Sequence, residues 1–214
     1  MADSYSAEGA STARFDISDT DPDPFAQFER WFEEAEQAGV REPDAMTLAT
    51  VDAHGVPSAR TVALRGFDRR GFAFYTNVTS RKGGELAENN RVAIVFHWRE
   101  QLRQVRAVGI ATARPKADAD AYFATRNRES QIGAWASAQS SVLADRAALD
   151  ARVAEAAERF AGGPVPRPPY WRGFSVEPHE WEFWLGHEDR LHDRVHYRPD
   201  PDTPGAWIRE RLSP

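Results

Sequence analysis

The chain has 214 residues, 41% of them apolar, and no cysteine. That is enough for one buried core, and it excludes disulfides, thiolate metal sites and a thiol nucleophile. A formal charge of −6 and a pI near 5.6 argue against nucleic acid as a general partner. No apolar run approaches the ~20 residues of a membrane span, and the start M-A-D-S-Y-S-A-E-G has neither a basic nor an apolar leader region. A soluble cytoplasmic protein with no membrane contact is expected.

Residues 1–23, rich in Asp, Ser, Ala and Pro and without periodicity, read as a mobile arm ahead of a single domain over 24–214. Phe25, Phe28, Trp31, Phe32 and Ala35 then recur at helical spacing among Glu29, Glu33, Glu34 and Glu36, and Gly39 ends the helix. That stripe is a docking face for a core. From Met46 the period becomes two, with strands over 46–52, 58–67 and 72–77 separated by His54-Gly55 and Asp68-Arg69-Arg70-Gly71. A short helix over 80–90 interrupts the meander before strands over 92–98 and 105–113. This pattern predicts a mainly β protein, an antiparallel barrel with peripheral helices and not a βαβ sheet. Helices over 116–126 and 142–161, a Gly/Pro connector over 162–169, and strands over 171–176, 180–185, 190–197 and 207–212 complete the chain. No internal repeat or second core is evident.

Four places concentrate ionisable groups. Ser80-Arg81-Lys82 opens the short helix, where free N–H groups and the dipole favour an anion between the two cations. In the strand Ala59-Arg60-Thr61-Val62-Ala63-Leu64-Arg65, alternation puts Arg60 on the face of Val62 and Leu64. An arginine there needs a phosphate or a buried carboxylate, unless the strand is an edge and its arginines reach water. Tyr122, Arg126 and Ser130 stand at i, i+4 and i+8, so a continuous helix would align two hydroxyls and a guanidinium for an oxyanion; Gln139 and Ser140 follow as neutral hydrogen-bonding groups. The last place is a hairpin over 182–194, E-F-W-L-G-H-E-D-R-L-H-D-R. Alternation would put Arg190, His192 and Arg194 on one strand face, suited to an anion or aromatic substrate. His192 and His196 share that face too, but no metal-ligand pattern accompanies them and no metal is expected.

With these motifs in order, R-T-V-A-L-R, F-Y-T-N-x-x-S-R-K, L-R-Q-V, Y-F-A-T-R-N-R-E-S-Q-I-G-A-W, Q-S-S, E-F-W, R-L-H-D-R and a terminal R-L-S-P, the chain resembles the pyridoxamine/pyridoxine 5′-phosphate oxidase family from about Phe25 to Pro214. The resemblance implies an FMN-binding split β-barrel, homodimeric, with both subunits contributing to each active site. It implies FMN contacts from Arg60, Thr61, Val62, Ala63, Leu64, Tyr75, Thr76, Arg81, Lys82, Gln104, Gln139, Ser140, Trp184 and Arg194. Substrate phosphate would meet Tyr122, Arg126 and Ser130, with Arg65 shaping that pocket, while Arg190 and His192 would act at the ring and reacting carbon. The implied reaction oxidises a small phosphorylated pyridine, pyridoxamine or pyridoxine 5′-phosphate, to pyridoxal 5′-phosphate, with O2 reduced to H2O2.

Two features depart from the family pattern. Arg65 stands where a Lys usually ends the R-x-V-L-L-K strand, exchanging a compact ammonium for a planar fork. The family's R-R-x-Y arm motif is missing, and S-T-A-R-F-D-I-S-D-T-D-P-D-P is more like the phenazine-biosynthesis branch of the superfamily. A phenazine-type or other natural-product flavin oxidase is therefore one alternative. A non-catalytic flavin or pyridoxal-phosphate binding protein is another, from a different class.

Overall fold

The structure, a computed structural model, describes residues 14–214. Its strands are β1 (Ala45–Val51), β2 (Pro57–Ala63), β3 (Phe67–Asp68), β4 (Gly71–Asn77), β5 (Arg91–Trp98), β6 (Arg103–Ala113), β7 (Trp171–Leu185), β8 (Asp193–Pro199) and β9 (Trp207–Arg211). All pairings are antiparallel, in the order β2-β1-β5-β6-β7-β4-β3, with β8 added to β7 and β9 to β8. The two ends of that path meet. Arg65 N–H donates to Ala73 O at 2.7 Å and Ala73 N–H to Gly66 O at 2.8 Å, so the exit of β2 is laced to β4 and the sheet closes as a barrel.

Alternation fills the barrel. Met46, Leu48, Phe72, Ile94, Phe96, Trp181 and Phe183 are all buried, with their strand neighbours turned outward. Helix α1 (Pro24–Gln37) starts with Asp23 accepting from Phe25 N–H and Pro24 in the first turn. It then lays Phe28 (1% exposed) and Trp31 (3% exposed) on the barrel, with the Phe28 ring 4.6 Å from Phe67 and 4.9 Å from Phe72. The docking face read from the sequence is this one.

Three features differ from the sequence reading. Of the arm over 1–23, residues 1–13 lie outside the described residues, but the chain is docked from Phe15 onward. The Phe15 ring is 5% exposed and packs 4.9 Å from Trp31, and its N–H donates to Asp193 Oδ2 at 3.0 Å. Arg209 Nη1 donates to the carbonyls of Ile17 and Thr20, and the Tyr197 hydroxyl donates to Asp21 O. Phe15 and Ile17 on the core, with these hydrogen bonds, anchor the segment.

Second, the strands expected over 171–176 and 180–185 are the single β7, which pairs with β4 at its start, β6 along its length and β8 at its end. Pro178 lies where the β6–β7 register shifts, beside Val108 and Gly109, so its missing N–H interrupts no ladder bond. Third, helices α3 (Lys116–Thr125), α4 (Arg128–Ala136) and α5 (Arg146–Arg159) gather a smaller apolar cluster of their own, around Phe123, Ile132, Ala156 and Trp171. Trp171 belongs to β7 and Tyr75, packed against the cluster, to β4, so this annex shares the barrel's strands.

Candidate functional site

The start of β7, the end of β4, the outer side of β2 and the annex helices enclose a cavity of about 980 Å³. It is lined by Arg60, Thr61, Val62, Ala63, Arg65, Tyr75, Thr76, Arg81, Lys82, Tyr122, Arg126, Ser130, Gln139 and Ser140, among others. Four separate stretches of sequence-predicted residues thus converge on one space. Leu64 is the exception in its strand: it is 6% exposed, packed into the barrel core and does not line the cavity.

β4 hands the chain through a tight turn to α2 (Arg81–Glu88), whose N-cap Ser80 accepts from Gly83 N–H. A Cβ on Gly83 would stand 2.4 Å from Val78 O, so only glycine lets the helix start this close to the strand. The turn buries Lys82 (9% exposed), whose Nζ donates to Gln139 Oε1 at 2.7 Å. No carboxylate among the described residues lies within ion-pair distance of it. Burial first, and then the charge of Arg60, hold the Lys82 ammonium below its ordinary pKa, against the attraction of Glu85.

Arg60 resolves the choice its strand left open. It faces a buried carboxylate, Glu85, at 3.2 Å, and also donates to Leu48 O and to the hydroxyls of Thr50 and Ser58. Glu85 is the residue that the sequence reading missed. It sits 4% exposed on α2 and accepts from Thr50, from Ser58 at 2.7 and 2.9 Å, and from Arg81 Nε at 2.8 Å. Burial alone would raise its pKa, but the hydrogen bonds from Thr50, Ser58 and Arg81 and the charge of Arg60 outweigh it and hold the carboxyl at about 2. The i, i+4 spacing from Arg81 was the available signal.

Tyr122, Arg126 and Ser130 all reach the cavity, but on no continuous helix. α3 ends at Thr125, Arg126 is extended, and Asn127 caps α4 by accepting from Ser130 N–H at 2.8 Å. The guanidinium of Arg126 lies 5.1 Å over the Trp171 ring. Its Nη1 is buried and bonded to nothing among the described residues. Burial lowers its pKa, Tyr122 opposes the shift and Arg65 adds to it. Tyr75, Tyr122 and Trp171 form a cluster of three near-parallel rings, with Tyr75 4.4 Å from Tyr122 and 5.0 Å from Trp171. The Tyr75 ring fits because the residue paired with it across the strands is Gly173, where a Cβ would stand 2.6 Å from Tyr75 Cε1. Arg65, partly exposed, pairs with Asp44 at 2.6 Å.

Gln104, Trp184, Arg190, His192 and Arg194 lie elsewhere; none lines this cavity. Gln104, Trp184 and Arg194 are register partners across β6, β7 and β8, side by side on the outer face. Arg194 donates to Glu182 at 2.8 Å and to Ser213 O, and Arg106 joins the same buried carboxylate at 2.8 Å. Arg190 and His192 do not continue that strand face, as alternation had suggested. β8 begins only at Asp193, and Arg190 has φ 63, left-handed backbone that ends a strand. They sit in a turn: His187 N–H donates to His192 Nδ1 at 3.0 Å, Arg190 N–H to His187 O at 3.2 Å, and the His192 ring lies 4.7 Å from Trp184. His196 lies between Glu180 and Glu210, and among the described residues no three His, Asp or Glu groups gather as metal ligands.

A closed antiparallel barrel with a cation-rich, aromatic-walled cavity defines a class, and the comparisons agree on it. The structure of PhzG from Burkholderia lata 383, in complex with tetrahydrophenazine-1-carboxylic acid, superposes with a TM-score of 0.88 at 37% identity, covering 96% of this chain and 100% of that one. A pyridoxamine 5′-phosphate oxidase-related, FMN binding protein from Nostoc punctiforme shares the split-barrel fold with a TM-score of 0.70 at 16% identity, covering 91% of this chain and 100% of that one. Residues 32–160 match the family described as pyridoxamine 5′-phosphate oxidase, and residues 171–214 match the pyridoxine 5′-phosphate oxidase C-terminal dimerisation region. A pyridoxine/pyridoxamine 5′-phosphate oxidase of Rubrobacter xylanophilus is 56% identical over 91% of this chain and 88% of its own. One from Ralstonia nicotianae is 52% identical over 94% of each. The chain belongs to the pyridoxamine 5′-phosphate oxidase family, a family of FMN-dependent oxidoreductases.

Proposed function

We propose that the chain oxidises pyridoxamine 5′-phosphate or pyridoxine 5′-phosphate to pyridoxal 5′-phosphate with FMN, as a homodimer whose sites each join the cavity of one protomer to the hairpin of its partner. The observation that carries this reading is Arg126, a half-buried side chain whose Nη1 is buried and unused among the described residues, beside Tyr122 and Ser130 in a cavity that already holds a second group of cations. The two groups are electrically distinct: Lys82 feels Arg60 and Glu85, whereas Arg126 feels Tyr122 and Arg65. Two anions, a cofactor phosphate and a substrate phosphate, fit that division. FMN suits the first group, because buried Lys82 has only neutral oxygens as partners and Arg60 and Arg81 stand beside it.

The length of β7 supports a shared site. Trp171 at its start lines the cavity and Trp184 lies near its end. Thirteen residues of strand at ~3.3 Å each place them on the order of 40 Å apart along the chain. A hairpin that far along its own strand is suited to serve a second copy, and the dimerisation match over 171–214 covers it.

Bound flavin would supply the hydride acceptor for the substrate's C4′ carbon and return the electrons to O2 as H2O2, and the imine left by the amine substrate would hydrolyse to the aldehyde and ammonia. The protein's own residues bind and orient. Arg126, Tyr122 and Ser130 bind the substrate phosphate, and Arg190 and His192 of the partner subunit orient the ring. His192 Nδ1 already accepts from His187 N–H, so the neutral imidazole carries its proton on Nε2 and offers a donor there. Burial first, then the charges of His187, Arg190 and Arg194, lower its pKa against Asp189 and keep it neutral at pH 7.

The test is a visible spectrum of the purified protein followed by turnover of pyridoxine 5′-phosphate. A flavin spectrum, aldehyde absorbance and peroxide are expected; fully bound flavin with no product overturns the substrate. The similarity to PhzG favours a second reading, a tricyclic dihydrophenazine-type substrate. Turnover of such a compound in preference to the phosphorylated pyridine would select it.

A further inference from the structure

Glu85 has no place in the scheme so far, although it is a buried, heavily hydrogen-bonded carboxylate directly behind Ser58, Arg60 and Arg81 of the cavity wall. It joins three elements: Thr50 on β1, Ser58 and Arg60 on β2, and Arg81 on its own helix. Two of the three cations assigned to the cofactor phosphate are therefore held through one anion. The arginines need that hold to different degrees. The Arg60 side chain is 22% exposed and has Leu48 O and Thr50 as further partners, whereas that of Arg81 is 59% exposed and has Glu85 as its one side-chain partner among the described residues. Without the carboxylate, Arg81 is released to solvent.

We infer that Glu85 is a positioning residue for the flavin phosphate, holding Arg60 and Arg81 with their remaining N–H groups turned to the cavity. This rests on the reading that Arg60, Arg81 and Lys82 bind that phosphate. The charge balance agrees: three cations less one carboxylate leave a net charge of +2, opposite to a phosphomonoester dianion. A neutral amide at 85 could not serve, because its NH2 would face guanidinium N–H groups, donor against donor.

The competing electrostatic effect has the opposite sign. A carboxylate beside the phosphate repels it, so a Glu85 that acted only as a counter-charge would weaken binding, and its removal would tighten it. The direction of the change therefore decides.

The experiment titrates flavin-stripped full-length protein with FMN and with riboflavin, which lacks the phosphate, and follows quenching of flavin fluorescence. Wild type should prefer FMN; equal affinities would overturn the phosphate assignment itself, independently of Glu85. Glu85→Gln should weaken FMN about tenfold, the worth of one charge-assisted hydrogen bond, and leave riboflavin unchanged. Tighter FMN binding, or an unchanged ratio of the two affinities, overturns the positioning role. Thr50→Val provides the same reading should Glu85→Gln not fold. Thr50 lies under Glu85 and Arg60, fully buried and outside the cavity wall. A shift of at least about threefold against FMN alone is expected, because the hydroxyl that bonds both the Glu85 carboxylate and the Arg60 guanidinium is lost, and no shift in the ratio counts against the proposal.

Discussion

At the start of β7, Trp171 lies under Arg126, whose Nη1 bonds to nothing among the described residues. At the other end, Trp184 neighbours Arg194, which donates to Glu182 and to Ser213 O. Both places set an indole of β7 against a guanidinium from another element, yet Arg194 is bonded within the protein whereas one nitrogen of Arg126 is left unused among the described residues. A buried, unpaired cation is costly unless something arrives to meet it. On the proposed reading the cavity end takes anions, while Arg194 at the hairpin end is held by Glu182 and Ser213 O.

The sharpest way to break this contrast is to put the two ends on different subunits. Arg126→Ala and His192→Ala should each lose most activity as homodimers. Random mixing by co-expression should restore about a quarter of the wild-type rate, since half the dimers are mixed and one of their two sites is intact. No recovery in purified mixed dimers would place each site within a single protomer.

Acid stability tests the cavity end at its anchor. The Glu85 pKa is about 2 against an ordinary 4.5. Because the folded value is depressed, its contribution is complete above pH 4.5 and is lost as pH falls toward 2. The effect is on the order of 3 kcal/mol. Denaturant titrations at pH 7 and pH 3 should show a smaller acid loss in Glu85→Gln than in wild type; an equal loss would refute the linkage.

Arg126→Ala should raise KM for the phosphorylated pyridine about a hundredfold, or ~2.7 kcal/mol, consistent with a bidentate phosphate contact. The same variant should leave KM for the unphosphorylated vitamer unchanged, and a parallel rise for both would assign Arg126 to wall packing. Arg65→Lys should do least. Arg65 is already paired with Asp44, and its side chain is 40% exposed. A KM change below about threefold is expected for so solvated a pair, and a larger improvement would mark position 65 as a determinant of substrate choice.

Much of the barrel was legible because period-two alternation and the Phe28–Trp31 stripe are local signals of burial. The site was legible in pieces for the same reason: Ser80-Arg81-Lys82 and the Arg60 strand stand out as charges where charge is costly. What escaped depended on backbone breaks and distant partners. The turn at Arg126 was signalled only by Asn127, an N-cap residue in a run that otherwise continues as helix. The positive φ at Arg190 leaves no mark in alternation, since arginine is no common left-handed residue. The break expected between 176 and 180 is absent, because β7 runs on through Pro178 with a register shift against β6. The long-range pairing of Glu85 with Arg60 cannot be seen until α2 is packed against β2.

Asp193 is fully buried between the residues that bracket the hairpin's end. It accepts from Phe15 N–H at 3.0 Å, lies 2.6 Å from His187 Nε2, and is bonded by Arg211 near the C-terminus. One carboxylate thus ties together the entry of the described chain, the turn that carries Arg190 and His192, and the last strand. Segments knotted at one point open as one cooperative unit. Amide exchange in Phe15–Asp19, in the hairpin turn and in β9 should share a single opening free energy, so that trimming the chain at Phe15 loosens the hairpin turn on the far side of the knot.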